Sequence, residues 1–292
     1  DGKYGSTTTA IKYPTFQGLT YSMNYTNHND AYRISKVLTE SGNIYGLNSS
    51  STDSHLIKNS EWGAVSYLSQ SKYGLDGTNI VINNVYLNNT TKSVYAVTGC
   101  AGATANANAV STTIGALNNR TQSSVYVWTQ KNGTTASSTG TIYGIYDMSG
   151  GTWERTASIV NNGNSNLTTY GSQIMADLNN GGSTKYITVY PHDSSKDNTS
   201  ISNTDANINT ASQANYVKNT KIYGDGIRET STAGTGTTSW YSDYSYFAGL
   251  NSPFFTRGGF YGDTSGAGLF YFSRHAGYSD YYAGFRSVLV SL

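Results

Sequence analysis

The sequence predicts an α+β fold with two helices near its start, short mixed sheets and long ordered loops. Three observations carry this. Tyrosine occurs 26 times against 8 phenylalanines, and charged residues make up only 12% of the 292-residue chain. A chain rich in Tyr and poor in Leu and Lys favours strands and ordered loops over helical bundles. Two amphipathic segments lie between 29 and 74, which places helices beside that β structure. Finally, Ser252 to Leu292 interleaves a frame of Phe, Gly and Arg with an irregular mixture of Tyr, Ser, Asp, Ala and His.

The elements follow in order. Residues 1–28 are polar with scattered aromatics (Tyr4, Tyr13, Phe16, Tyr21, Tyr25) and read as extended segments and turns. A helix is expected after Asn29 or Asp30, either of which can cap it. Ala31, Ile34, Val37 and Leu38 share one face, and Ser41-Gly42 stops it. A second helix spans NSEWGAVSYLSQSKYG, capped by Asn59 or Ser60, with Glu61 in the first turn. Trp62, Val65 and Leu68 form its apolar face and Gly74 ends it. Polar insertions follow near 75–140 and 161–220. The first holds candidate strands at Ile80–Leu87 and Ser123–Thr129. The second is too long for a bare loop unless it is functional or carries elements of its own. Between them, Thr141–Val160 reads as a core hairpin around Ser149-Gly150-Gly151. With three prolines, no repeat and no Pro-rich linker, one domain over 1–292 is the expected organisation.

Net charge is +1. No Lys/Arg cluster is present, so nucleic-acid binding is not expected. Cys100 is the single cysteine and cannot form an internal disulfide. Low Lys with high Asn, Ser, Thr and Tyr suits an extracellular bacterial or phage protein. The chain starts at Asp1, so any signal peptide or membrane anchor is expected upstream. No apolar run approaches the roughly 20 residues of a membrane helix.

Few groups offer chemistry. His28, His55, His192 and His275 sit at no metal-ligand spacing. Ser69-Gln70-Ser71-Lys72 matches S-x-x-K without its partner motifs and reads as a solvated helix end. Asp147 is expected to bond turn amides, and Glu154 to satisfy buried backbone or bind a cation. Cys100 reads as a small buried apolar residue with no base beside it.

Three segments together carry a resemblance: YGIYDMSGGTWERT (143–156), FFTRGGF (254–260) and AGFRSVL (283–289). In order and spacing they resemble the formylglycine-generating-enzyme/sulfatase-modifying domain, a variant of the C-type lectin fold, over roughly the last 150 residues. Those enzymes keep cysteines between the R-G-G and G-F-R motifs; Gly258 to Phe285 holds none, so oxidase chemistry is not carried over. The family's calcium-binding Asn in the G-N-x-W-E turn is Gly151 here and its second Trp is Arg155, which puts a structural calcium in question, although Glu154 is kept. No other cofactor is expected.

The cassette 257–286 is similar to that of variable proteins diversified by retroelements in phages and gut bacteria. Arg257, Gly258, Gly259, Gly268, Leu269, Phe270, Phe272, Gly277, Gly284, Phe285 and Arg286 keep the frame. Positions that are Asn-like in the family carry Phe260, Gly262, Asp263, Gly266, Ser273, Arg274, His275, Ala276, Tyr278, Asp280, Tyr282 and Ala283. Each can be reached from an Asn codon by changing adenines. The resemblance implies a non-enzymatic, hypervariable binding protein on a bacterial surface, an appendage or a phage particle. Its ligand would be a protein or carbohydrate. Phe260, Tyr278 and Tyr282 would anchor it, Asp263, Arg274, His275 and Asp280 would set polar specificity, and the neighbouring Tyr261, Tyr271 and Tyr281 would join the patch. A structural, pilin-like subunit is the alternative, and a formylglycine-generating oxidase a second one, disfavoured by the missing cysteines.

Overall fold

Asn27, not Asn29 or Asp30, starts the first helix, α1 (His28–Lys36): its side chain accepts from the Asp30 amide at 2.8 Å. This computed structural model describes residues 13–89, 93–179, 185–196 and 205–292. Tyr4 and parts of both polar insertions lie outside them. The architecture is mixed α and β, with several small sheets and short helices. Helix α1 buries Ala31, Tyr32 and Ile34, then tightens into a 3-10 turn at Val37–Thr39. Strand β1 (Thr52–Leu56) packs against it and leads to α2 (Asn59–Gln70), where the Glu61 carboxylate accepts from the Lys58 amide at 2.9 Å.

The buried face of α2 differs from the expected one. Trp62 is fully buried, but Leu68 is exposed, and Gly63, Ser66 and Ser69 take the inner positions. The cause is close packing. A Cβ on Gly63 would lie 2.2 Å from the Gly224 carbonyl oxygen, and the Trp62 indole donates to the Leu269 carbonyl at 2.7 Å. The Ser66 hydroxyl donates to the same carbonyl at 3.1 Å.

Between 85 and 127 lie β2 (Val85–Asn89), β3 (Ser93–Ala96), β4 (Cys100–Gly102), β5 (Val110–Ser111), α3 (Ile114–Asn118) and β6 (Val125–Val127). They make two small sheets around Val85, Val97, Cys100 and Val127. Ile80 and Ile82 are buried but precede β2 rather than belonging to it. The hairpin expected over 141–160 is absent. Residues 141–152 are turns, and β7 (Trp153–Val160) alone enters the sheet. Gly150 and Gly151 have φ of +76° and +70° and lie against the backbone of Asn83, which takes the place of a hairpin partner.

The second insertion carries α4 (Ser165–Tyr170), α5 (Ser172–Asn179), β8 (Thr188–Tyr190) and α6 (Asp205–Lys218). After it come β9 (Thr235–Gly236), β10 (Ser245–Tyr246), β11 (Phe254–Gly258), β12 (Gly268–His275), β13 (Ala283–Phe285) and β14 (Ser287–Ser291). The largest sheet runs β13-β7-β11-β12-β10-β9, with β8 also paired to β7. One core lies between α1, α5 and this sheet (Tyr32, Ile159, Ile174, Phe254), and another gathers Tyr190, Tyr216, Phe247, Phe255 and Phe272. Each fully buried ring contributes about 1.5–3 kcal/mol. Strand β14 pairs with β1 instead, tying the C-terminus to the first helix pair.

Candidate functional site

Registers in the large sheet bring four strand ends together. Trp153 stands opposite Ala283, Arg257 opposite Glu154, and Gly258 opposite Gly268. The loop 259–267 joins β11 to β12 at this end, and 276–282 returns to it before β13. Gly258 and Gly259 (φ +84° and +76°) turn the chain there, and a Cβ on Gly259 would lie 2.7 Å from Ala267.

Most of the frame residues are inside, and Phe285 and Arg286 are half-buried. Phe255, Arg257, Leu269, Phe270 and Phe272 are buried. The Arg257 guanidinium donates to the carbonyls of Asp225 and Gly226 at 3.0 and 3.4 Å, and burial pulls its pKa down to about 10. Arg286 forks onto Glu154 at 2.8 and 2.5 Å and also donates to the Tyr146 carbonyl at 2.9 Å. That pairing differs from the role expected for Glu154.

The irregular positions divide. Phe260, Gly262, Asp263, Gly266, Ser273, Arg274, Ala276, Asp280, Tyr281 and Tyr282 are partly exposed, and Tyr278 is exposed over about half its surface (47%). Four expected patch residues are instead buried. Tyr261 stacks on Tyr86 of β2 at 4.3 Å between ring centres. Tyr271 faces inward along β12, beside Tyr244. Ala283 lies in β13 against Trp153 with no exposed surface. His275 is turned inward by its own loop: its Nδ1 accepts from the Gly277 amide at 2.8 Å and from Arg155 at 3.2 Å. These side chains shape the surface from beneath and do not present themselves to a ligand.

What remains exposed falls into three places. At the strand ends, Phe260 packs edge-on against Trp153 and Tyr282 at 5.0 and 5.2 Å, and Tyr281 stacks on Tyr25 at 5.5 Å. Asp263 braces this group. Its Oδ2 accepts from the Trp153 indole and from the Phe260 amide, both at 3.0 Å, and burial raises its pKa. At the far end of β12, Tyr278 stands over His275 and Tyr170. Arg274 occupies a third place, with its guanidinium 3.7 Å above the Tyr246 ring and near Ser212 of α6. It does not join the aromatic group.

Beneath the second place, Arg155 is fully buried and donates to His28 Nδ1 and His275 Nδ1, both at 3.2 Å, and to the Tyr278 carbonyl at 2.6 Å. Burial and the guanidinium hold both imidazoles well below the usual histidine pKa. His28 Nε2 donates to the Thr156 carbonyl at 2.9 Å, whereas His275 Nε2 is buried with no partner among the described residues. Sequence reasoning missed Tyr25 and Tyr86 as neighbours of the cassette surface and Arg155 as the buried support beneath it. Their distance along the chain hides them, because only strand pairing brings them to the cassette.

Both Glu154 oxygens are taken by Arg286, residue 151 is glycine, and Asp147 accepts from Asn83 and Gly99. This turn therefore does not fit a calcium ion. Among the described residues, no cluster of three or more His, Cys, Asp or Glu is placed to hold a metal. Cys100 is buried, and burial with the Asp147 charge keeps its thiol protonated. No helix among them is long and apolar enough to cross a membrane. Compared with protein-family models, with curated proteins and with solved structures, the chain finds no match.

Proposed function

We propose that this chain is a non-enzymatic, hypervariable ligand-binding protein with a C-type lectin-like fold of the formylglycine-generating-enzyme type. Its cassette 257–286 is diversified by a retroelement, and it is displayed on a bacterial surface, an appendage or a phage particle. The observation that carries this reading is the separation of roles within one short segment. Most frame residues are buried, and Arg257 and Arg286 are held by hydrogen bonds, while Phe260, Tyr281 and Tyr282 form a partly exposed aromatic group between them. Large rigid rings beside adaptable polar groups make a surface of this kind adhesive at low entropic cost. The working patch is smaller than the full set of irregular positions: Phe260, Tyr281 and Tyr282 supply contact and Asp280 supplies polarity, while Tyr278 stands apart at the far end of β12. Ligand identity follows from the side chains of the day rather than from the fold, so a protein and a carbohydrate are both admissible.

The test is genetic and physical. The source genome should encode a reverse transcriptase beside a near-copy of the 257–286 coding segment. Sister copies should differ at the adenine-reachable positions and keep Arg257, Gly258, Gly284 and Arg286. Variation spread evenly over frame and patch would sink the proposal.

A further inference from the structure

Trp153 and Glu154 are adjacent in β7 and so face opposite sides of the sheet. Trp153 belongs to the aromatic patch. Glu154 lines a cleft of about 540 Å³ on the other side, between the segment 14–23, the turns at 98–99 and 142–147, and the β13–β14 junction. The volume lies in the range of small-molecule sites.

Three features of the cleft converge. The Trp128 indole stands half-buried against Gly18 and Gly99; a Cβ on Gly18 would lie 2.6 Å from the ring. Phe16 and Tyr146 add aromatic surface. Arg286 spends Nε and Nη2 on Glu154 and Tyr146, and its Nη1 makes no hydrogen bond among the described residues. Asp147 Oδ1 accepts from Asn83 at 2.6 Å and Gly99 at 3.1 Å, but Oδ2 accepts only from Gly99, at 3.1 Å, and keeps acceptor capacity. The cleft thus offers one open guanidinium nitrogen, an open carboxylate oxygen and flat apolar rings.

We propose that this cleft is a second ligand site, independent of the cassette, and that it takes a pyranose ring of a carbohydrate. Two neighbouring hydroxyls donate to Asp147 and accept from Arg286 Nη1, because a hydroxyl does both. The C–H face of the sugar lies on Trp128, as amphipathic ligands do on an indole. A free amino acid fits less well. Its carboxylate needs an unpaired cation, and the Arg286 charge is already matched by Glu154. With that pair matched, the remaining charged group at the floor is the Asp147 carboxylate, which repels an anion. The cassette supplies none of these groups except Arg286, which it holds constant, so specificity here is inherited while specificity at the patch is replaceable.

The experiment is saturation-transfer NMR on the intact chain with the methyl glycosides of glucose, galactose, mannose and N-acetylglucosamine as probes. At least one should receive transfer on one ring face. Trp128→Ala should weaken its affinity by about tenfold or more, and Trp128→Phe should restore most of it. Phe16 is exposed, so Phe16→Ala folds as the parent does and should weaken binding a few-fold even if Trp128→Ala misfolds. Phe260→Ala should leave binding unchanged. Four outcomes overturn the site: no transfer to any probe, transfer from leucine or glycine only, affinity indifferent to Phe16→Ala and Trp128→Ala alike, or loss on Phe260→Ala. The last would move the sugar to the cassette and leave the proposed binding function standing. Failure of the genomic test leaves the cleft untouched.

Discussion

The two sides of β7 solve different problems with adjacent residues. On the Trp153 side, aromatic side chains lean on one another and on one brace, Asp263. On the Glu154 side, an ion pair and a doubly bonded carboxylate fix the floor, and the open groups point into a formed cleft. Rings held by rings can be exchanged for other rings at small cost. A buried charge held by one partner cannot lose that partner cheaply. The patch side is thus tolerant and the cleft side is not, although one strand supports both.

The largest test of that contrast is Arg286→Met. It strands the Glu154 carboxylate, and urea unfolding should show a loss of about 3–5 kcal/mol; a loss no larger than for a surface change would erase the distinction. Next is Gly259→Ala, which forces an L-residue into φ +76° against Ala267. Denaturation should register about 1–3 kcal/mol, showing that the frame within the cassette is as intolerant as the cleft floor.

A pH experiment separates the patch from its support. His28 and His275 have folded pKa values well below the ordinary value of 6.5. The unfolded chain therefore binds more protons as pH falls through about 6.5, and the stability these neutral imidazoles contribute is lost below it. Arg155, Asp30, Asp280 and the Tyr278 backbone surround them, and Asp30, whose pKa burial raises, acts in the opposite sense. The comparison to make is between variants. His275→Gln should remove a slope of up to about 1.4 kcal/mol per pH unit between the folded and unfolded pKa values. Parallel stability curves for parent and variant would show that the pair is uncoupled from folding. Smallest of all, Phe260→Ala should cost about 1 kcal/mol or less in stability, since the ring is partly exposed.

Helices α1 and α2 are legible from apolar spacing, whereas the strands around Arg257 and Phe270 are not marked by any period in the sequence. The buried face of α2 is not legible either, because close backbone approach at Gly63 outweighs the attraction of burying Leu68. Helix α6 was hidden for a related reason. Its inner face includes Ser212 and Asn215, and Asn215 bonds the Asp193 amide and the Ala248 carbonyl. A helix docked through amides has no hydrophobic period to read. In the cassette, alternation could not say which tyrosines turn inward. Tyr261 is drawn in by Tyr86 and Tyr271 lies beside Tyr244, one from a distant strand and one from the run before β11.

Asp263 has a consequence for how such a surface could evolve. It lies at an exchangeable position, yet its carboxylate ties the Phe260 amide to the Trp153 indole. A substitution there is a change of loop shape as well as of charge. A repertoire that varies residue 263 therefore samples different backbones under the same rings, and two copies identical at every aromatic position can still present different surfaces.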